Sequence, residues 1–217
     1  MKQDLTEMVF ILDRSGSMAG LEKDTIGGFN SMIDKQKDLD GDAIVSTVLF
    51  DNHFEVVHNR LNLREISHLT QKEYYVRGST ALLDAIGRSI RKIRMIYAET
   101  LREDRPDKVM FVITTDGMEN ASRQFSYHDI QHMIQDVKEK YGWEFLFLGA
   151  NIDAVGEARR FGIDADRAVR YHADTVGTQV NYEAINDAVS SYRVNKTISK
   201  NWKRRVEEDY KSRDKKS

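Results

Sequence analysis

Five oxygen-bearing side chains stand where apolar runs end or where a helix-like segment begins: Asp13, Ser15, Ser17, Thr80 and Asp116. The first three follow an apolar run at residues 8–12, and the last follows a similar run at residues 109–113. Carboxylates and hydroxyls are hard oxygen donors, which suit Mg²⁺, Mn²⁺ or Ca²⁺ better than zinc or copper. These residue types indicate a divalent-cation site, provided that the fold brings the three segments together.

Apolar runs of strand length alternate along the chain with segments of helical period. The run at residues 8–12 is apolar throughout, which is typical of a strand buried on both faces. Further strands are predicted at residues 43–50, 108–115, 143–148 and 168–172. Apolar residues three or four apart predict helices over residues 24–39, 81–103, 126–142, 154–161 and 181–193.

The segment after the second predicted strand has a different pattern. Only three residues, 51–53, separate that strand from another short strand at residues 54–57. So short a link predicts a hairpin, and therefore an antiparallel edge strand. Residues 58–78 are polar with weak periodicity, so we expect a long loop with one short helical turn.

The alternation of strands and helices predicts an α/β fold. We expect a doubly wound, mostly parallel central sheet with one antiparallel edge strand and helices on both faces. Such sheets bind ligands at the carboxyl ends of their strands, where the strand order reverses. If the strands before Asp13 and Asp116 flank that point, both carboxylates meet in one crevice. The helix that follows Thr80 can face the same crevice.

Three separated motifs carry a family resemblance. Asp-x-Ser-x-Ser from Asp13, Gly-Ser-Thr ending at Thr80 and Thr-Asp-Gly around Asp116 resemble the metal-ion-dependent adhesion site (MIDAS) of von Willebrand factor type A (vWA) domains. The similarity extends over residues 7–172 and is to stand-alone intracellular vWA proteins of bacteria and phages. It implies the Rossmann-like vWA fold with a complete metal site that holds Mg²⁺.

The resemblance also implies a function. In the family, the hydroxyls touch the metal, the aspartates often act through water, and an open position accepts a Glu or Asp from a partner. We therefore expect a metal-dependent protein-binding module with an unidentified protein partner. Intracellular members often accompany ATPases, so an accessory role beside a nucleotide-driven complex is an alternative. This chain has no Gly-x4-Gly-Lys-[Ser/Thr] loop, so the ATPase would be another polypeptide.

Each motif also has a simpler explanation when it is taken alone. Ser15, Gly16 and Ser17 could form a strand-to-helix turn. Thr80 could cap the next helix, and Asp116 begins a common Asp-Gly turn pair. The occurrence of all three motifs in the expected order favours the metal site.

Other polar residues are weaker candidates. Asp51 and Asn151 should lie on the same edge of the sheet as the metal site, where a turn role is favoured over a partner contact. His128 and His132 have a spacing that can bind metal, but without a third ligand a solvated helix face is favoured. The basic residues 203–205 could touch an acidic protein or nucleic acid, although a solvated tail is favoured.

Composition limits the function classes. Charged residues make up 31% of the 217 residues, but the net charge is only −2, which argues against nucleic-acid binding by the whole domain. The absence of cysteine excludes disulfides, thiolate metal sites and a cysteine nucleophile. We see neither a signal peptide nor an apolar run long enough for a bilayer, so we expect a cytoplasmic protein without membrane contact.

The sequence predicts one folded domain followed by a basic C-terminal tail. We expect a vWA-like domain over residues 1–193 and a basic tail over residues 194–217, helical or frayed. Residues 196–217 contain nine Lys or Arg against four Asp or Glu, with little apolar periodicity.

An enzyme is the remaining alternative. A haloacid-dehalogenase-like phosphatase would carry a second Asp two residues after Asp13, where this chain has Ser15. We therefore expect a non-enzymatic protein, with metal-dependent hydrolysis as the alternative.

Overall fold

The apolar runs form one central sheet. The computed structural model describes residues 4–214, and its six strands have the spatial order β3-β2-β1-β4-β5-β6. The strands are β1 (Thr6–Asp13), β2 (Ala43–Phe50), β3 (Phe54–Asn62), β4 (Lys108–Thr115), β5 (Glu144–Ala150) and β6 (Ala168–Tyr171). Strand β3 pairs antiparallel with β2 at one edge, and the other strands are parallel. The predicted doubly wound sheet with an antiparallel edge strand is confirmed.

Helices cover both faces of the sheet. They are α1 (Glu22–Lys37), α2 (Leu82–Glu99), α3 (Tyr127–Tyr141), α4 (Ala154–Arg160), α5 (Thr175–Asn195) and α6 (Arg204–Asp214). In β1, Phe10 packs in the core beneath α1 and α5, whereas Val9 and Ile11 pack in the core beneath α2, α3 and α4. Both faces of β1 are thus buried, which explains why its sequence is apolar without alternation.

The two largest differences from the sequence-based bounds are in α5 and β3. Helix α5 begins at Thr175 rather than at residue 181, because Asp174 caps it by accepting a hydrogen bond from the Gly177 N–H at 2.8 Å. Strand β3 continues to Asn62, into residues for which the sequence predicts a loop. There the Arg60 side chain is tied to the buried Glu7 by a contact of 2.7 Å.

The C-terminal tail is ordered and packed. Its residues form α6, and the side chains of Trp202 and Val206 are only 3% and 1% exposed in the core beside α5. Of the two expectations for the tail, the helical one holds for residues 204–214, and the frayed one does not, because these two apolar side chains anchor the segment. Arg204 and Arg205 are exposed, as expected for a solvated surface. The domain boundary that we placed after residue 193 falls within α5 and stays a prediction. No helix among residues 4–214 is long and apolar enough to cross a membrane.

Candidate metal centre

The structure brings all five predicted site residues to one edge of the sheet. Strands β1 and β4 are parallel neighbours, so Asp13 and Asp116 lie together at their carboxyl ends. The Ser17 hydroxyl donates to Asp116 Oδ1 at 2.5 Å and lies 3.1 Å from the Ser15 hydroxyl. The Thr80 hydroxyl, just before α2, donates to Ser15 Oγ at 3.0 Å. Three hydroxyls and two carboxyl groups thus form one continuous cluster.

Burial governs the charge of the two carboxyl groups. Asp13 accepts hydrogen bonds from the Ser15 N–H at 2.7 Å and from the Thr115 hydroxyl at 2.6 Å. Despite these bonds, loss of solvation raises the pKa of Asp13 to about 6, and burial also raises the pKa of Asp116. A cation among these groups would offset the lost solvation of both carboxylates.

A glycine keeps space open among the hydroxyls. A methyl group in place of the Gly117 hydrogen would lie 2.9 Å from Thr80 Oγ1 and 3.0 Å from Ser17 Oγ. The space beside these two oxygens therefore exists because position 117 has no side chain. Its oxygen donors are of the type that Mg²⁺, Mn²⁺ or Ca²⁺ prefers, so the residues present fit a divalent cation.

The structure also tests the helix-cap explanation for the hydroxyl residues. Ala81 occupies the cap position of α2 and makes no side-chain cap bond, while the Thr80 hydroxyl bonds to Ser15 instead. Ser15 precedes a single turn of 3-10 helix without capping it. Capping therefore does not explain Thr80 or Ser15.

The loop after β4 fixes Thr80. The Thr80 N–H donates to Asn120 Oδ1 at 3.0 Å, and the Asn120 N–H donates back to the Thr80 carbonyl at 3.0 Å. The Glu119 carboxylate accepts the Leu83 N–H at 2.9 Å, in the first turn of α2. These contacts couple the Asp116 segment to the Thr80 segment, although the two are far apart in sequence.

A partly buried ion-pair network lies beside the cluster, and the sequence does not predict it. Arg14 is fully buried, and its guanidinium donates to Asp51 at 3.0 Å and to Glu55 at 2.7 Å. Arg77 donates to the same Asp51 carboxylate at 2.8 Å. Burial opposes ionisation of Asp51, but hydrogen bonds from Arg77, His53 and Arg14 outweigh it and lower its pKa. Asp51 is therefore a carboxylate that joins two arginines.

This network fixes the loop that carries Thr80. The Arg77 N–H donates to the Arg14 carbonyl at 2.9 Å, and the Gly16 N–H donates to the Gly78 carbonyl at 3.0 Å. Gly78 has a φ of 68°, a conformation that favours glycine. The sequence does not predict this role for Arg14, because its acidic partners Asp51 and Glu55 are distant in sequence.

The two weaker candidates on this edge make turns. The Asp51 carboxylate accepts the His53 N–H at 2.6 Å, so its expected turn role is confirmed, in addition to its ion pairs. Asn151 is exposed and has a left-handed φ of 54°, a conformation common for Asn in turns.

The remaining candidates do not add a metal site. His128 and His132 are exposed, with their Nε2 atoms 3.0 Å apart. Within residues 4–214, no group of three His, Cys, Asp or Glu side chains could hold a metal. Of the basic tail residues, Lys203 donates to the carbonyls of Ala165 and Ala168 at 2.8 and 2.9 Å, which ties it to the domain.

The raised pKa of Asp13 leads to a pH prediction. Because its folded pKa lies near 6, above the ordinary value, protonated Asp13 favours the apo fold at low pH, and this contribution is lost as the pH rises through 6. A cation binds the ionised form, so we expect Mg²⁺ to raise the Tm more at pH 7.5 than at pH 5. The check is the difference in Tm between Mg²⁺ and EDTA samples at each pH. An equal difference at both pH values would contradict the assignment of Asp13.

The comparisons with known proteins give information on the fold only. No family model matches the chain, and no curated protein matches it. Among solved structures, a D319A mutant of the PilB minor pilin from Streptococcus sanguinis has a TM-score of 0.61 at 12% identity, over 88% of this chain and 63% of that one. A von Willebrand factor type A structure from Catenulispora acidiphila has a TM-score of 0.56 at 15% identity, over 84% of this chain and 42% of that one.

A third similar structure contains a metal. Proximal thread matrix protein 1 from the mussel byssus, with a zinc occupied MIDAS motif, has a TM-score of 0.56 at 13% identity, over 86% of this chain and 46% of that one. The chain thus spans less than two thirds of each of these proteins. At such identities the likeness shows the fold alone, and that fold is the vWA fold.

Proposed function

With the vWA fold as the premise, we propose that this chain is a metal-dependent protein-binding module. In this proposal, a divalent cation, Mg²⁺ in the cell, coordinates a Glu or Asp side chain of a partner protein. The residues that hold the cation are Asp13, Ser15, Ser17, Thr80 and Asp116.

The observation that carries the proposal is the hydroxyl cluster beside the open space at Gly117. The Ser15 hydroxyl lies 3.1 Å from that of Ser17 and 3.0 Å from that of Thr80. The buried carboxyl groups of Asp13 and Asp116 flank these three hydroxyls. Both oxygens of Asp13 already accept hydrogen bonds from the chain. A cation held mainly by neutral oxygens keeps most of its charge, so a carboxylate from outside is a favourable further ligand.

The donor set favours binding over hydrolysis. Ser15 stands where a haloacid-dehalogenase-like phosphatase would carry its second aspartate, and its hydroxyl bonds to Ser17 and Thr80. The partner would be a separate polypeptide, and a subunit of a nucleotide-driven complex is one class that fits. The proposed role is therefore non-catalytic.

The test is affinity capture from the native lysate with the purified chain as bait. We expect a specific protein to be retained with Mg²⁺ and released with EDTA. Thr80→Ala should weaken capture, since it removes one hydroxyl and no cap of α2. Thr197→Ala is the matched control, because its side chain is exposed and far from the cluster in sequence. Capture that is equal in EDTA and equal for both variants would contradict the proposal.

Gly117→Ala tests the open space itself. We expect it to abolish the Mg²⁺-dependent rise in Tm, because the added methyl group would crowd the Thr80 and Ser17 oxygens. Gly27→Ala is the control, since a methyl group there would meet nothing within 4 Å. Thermal melts of both variants in Mg²⁺ and in EDTA measure the change in Tm that Mg²⁺ causes. An unchanged Mg²⁺ effect in Gly117→Ala would place the cation elsewhere.

A further inference from the structure

The outer face of α2 carries a groove with positive charge. The groove has a volume of about 330 Å³ and lies outside the metal cluster. It is lined by Arg88, Arg91, Lys92, Met95, Ile96, Glu99 and Gln124. Three of these seven side chains are cationic and one is acidic, although the whole chain has a net charge of −2. The positive charge is therefore local to this face.

The two arginines of the groove are held by aromatic rings. The Arg88 guanidinium lies 4.2 Å from the ring centre of Phe54, and that of Arg91 lies 4.9 Å from the ring centre of Phe125. Among residues 4–214, neither arginine forms an ion pair with a carboxylate of the chain. Ring contacts leave the N–H donors of a guanidinium available, so both arginines can still bind a carboxylate.

Lys92 increases the local charge. Burial lowers its pKa, and the nearby Arg60 lowers it further, while Glu7 acts in the opposite direction. Glu7 is buried and already bonded to Arg60 at 2.7 Å, so it is not a surface partner for an incoming group. The groove thus gathers three cations around a single acidic side chain, Glu99, which leaves a local excess of positive charge.

The groove also has apolar surface. Ile96 is partly buried, and Met95 is 57% exposed, so both side chains offer apolar surface to the groove. Apolar contact beside unpaired cations suits a short peptide that mixes acidic and apolar residues. A nucleic-acid backbone would need a longer tract of positive charge than one groove of this size.

We propose that this α2 groove, formed by Arg88, Arg91, Lys92 and Met95, binds an acidic segment of the same partner whose carboxylate reaches the metal. The proposal rests on the metal-dependent binding proposed above. Helix α2 starts two residues after Thr80. At about 1.5 Å per residue along the helix, Arg88 and Met95 lie roughly 12 and 22 Å beyond Thr80. An extended partner chain covers that span with roughly four to seven residues. The partner should therefore carry further acidic residues at that separation from the one that binds the metal.

The test uses a fluorescein-labelled peptide of alternating Glu and Leu, titrated with the full chain and followed by fluorescence anisotropy. EDTA is present throughout, so that the metal site does not contribute. We expect Arg88→Glu with Arg91→Glu to weaken binding by about tenfold, and Arg88→Gln with Arg91→Gln to weaken it less. Arg102→Glu with Arg159→Glu is the control, because it makes the same charge change at exposed positions outside the groove. The control should bind as the wild type does.

The outcomes separate this proposal from the metal-dependent one. Equal loss in the groove variant and the control would show non-specific attraction and overturn the proposal. Tighter binding of an oligothymidine of the same charge, lost in the groove variant, would also overturn it, in favour of a nucleic-acid surface. Asp13→Asn should leave peptide binding unchanged, so a failure of the metal site appears only in the Mg²⁺-dependent capture.

Discussion

Trp202→Ala is expected to lower the free energy of unfolding by about 3–5 kcal/mol, the usual cost of removing a large buried aromatic side chain. Trp202 is 3% exposed in the core beside α5, and its indole N–H donates to the Asp166 carbonyl at 2.9 Å. The substitution removes this packing and also the hydrogen bond to the Asp166 carbonyl. Urea unfolding of the wild type and the variant measures the difference.

A surface residue of the same segment serves as the control. Arg204 begins α6 and its side chain is 67% exposed, so Arg204→Ala should change the free energy of unfolding by less than about 0.5 kcal/mol. If Trp202→Ala were as mild as this control, the tail would not be part of the folded core. The same packing means that deletion of residues 196–217 should destabilise the whole domain. A truncation is therefore unsuitable for separating the tail from the metal site.

Asp13→Asn is expected to abolish metal-dependent partner capture while the protein still folds. The amide keeps the size of the carboxyl group and can still accept the Ser15 N–H, but it lacks the charge that attracts a cation. Because burial raises the pKa of Asp13 to about 6, ionised Asp13 is a cost to the apo fold at neutral pH. The variant should therefore melt no lower than the wild type in EDTA at pH 7.5, and Mg²⁺ should no longer raise its Tm.

Asp187→Asn is the matched control for this loss. Asp187 is exposed on α5, so its substitution removes the same charge without touching the cluster. It should retain both the Mg²⁺ effect on Tm and the capture of the partner. Loss of capture in both variants would point to a general charge effect instead of a metal ligand.

The sequence predicted the sheet because its strands are buried on both faces. Uninterrupted apolar runs such as the one in β1 are distinct from the helical period of the neighbouring segments. The cluster of Asp13, Thr80 and Asp116 was predictable for a second reason. Each motif lies at the end of a predicted strand or the start of a predicted helix, and the doubly wound topology brings those ends together.

Other features depend on contacts that local patterns do not show. Arg14 meets Asp51 across 37 residues of sequence, and nothing near either residue indicates the pair. Ile198, Trp202, Val206 and Tyr210 recur at every fourth position of the strongly charged tail. This spacing alone does not show that the first three pack in the core beside α5. The early start of α5 was missed because the cap residue Asp174 precedes residues of low helix propensity, including Gly177. Tertiary contacts decide all three features.

A titration of the purified chain with Mn²⁺, in which electron paramagnetic resonance measures the free ion, tests whether the cluster of hydroxyls and carboxyl groups binds a cation. We expect one ion per chain, with affinity reduced by at least about tenfold in both Ser17→Ala and Thr80→Ala, the range found when supporting groups of metal sites are removed. Ser212→Ala, which removes an exposed hydroxyl on α6, should bind as the wild type does. Unchanged Mn²⁺ affinity in Ser17→Ala and Thr80→Ala would contradict the claim that these hydroxyls hold the cation.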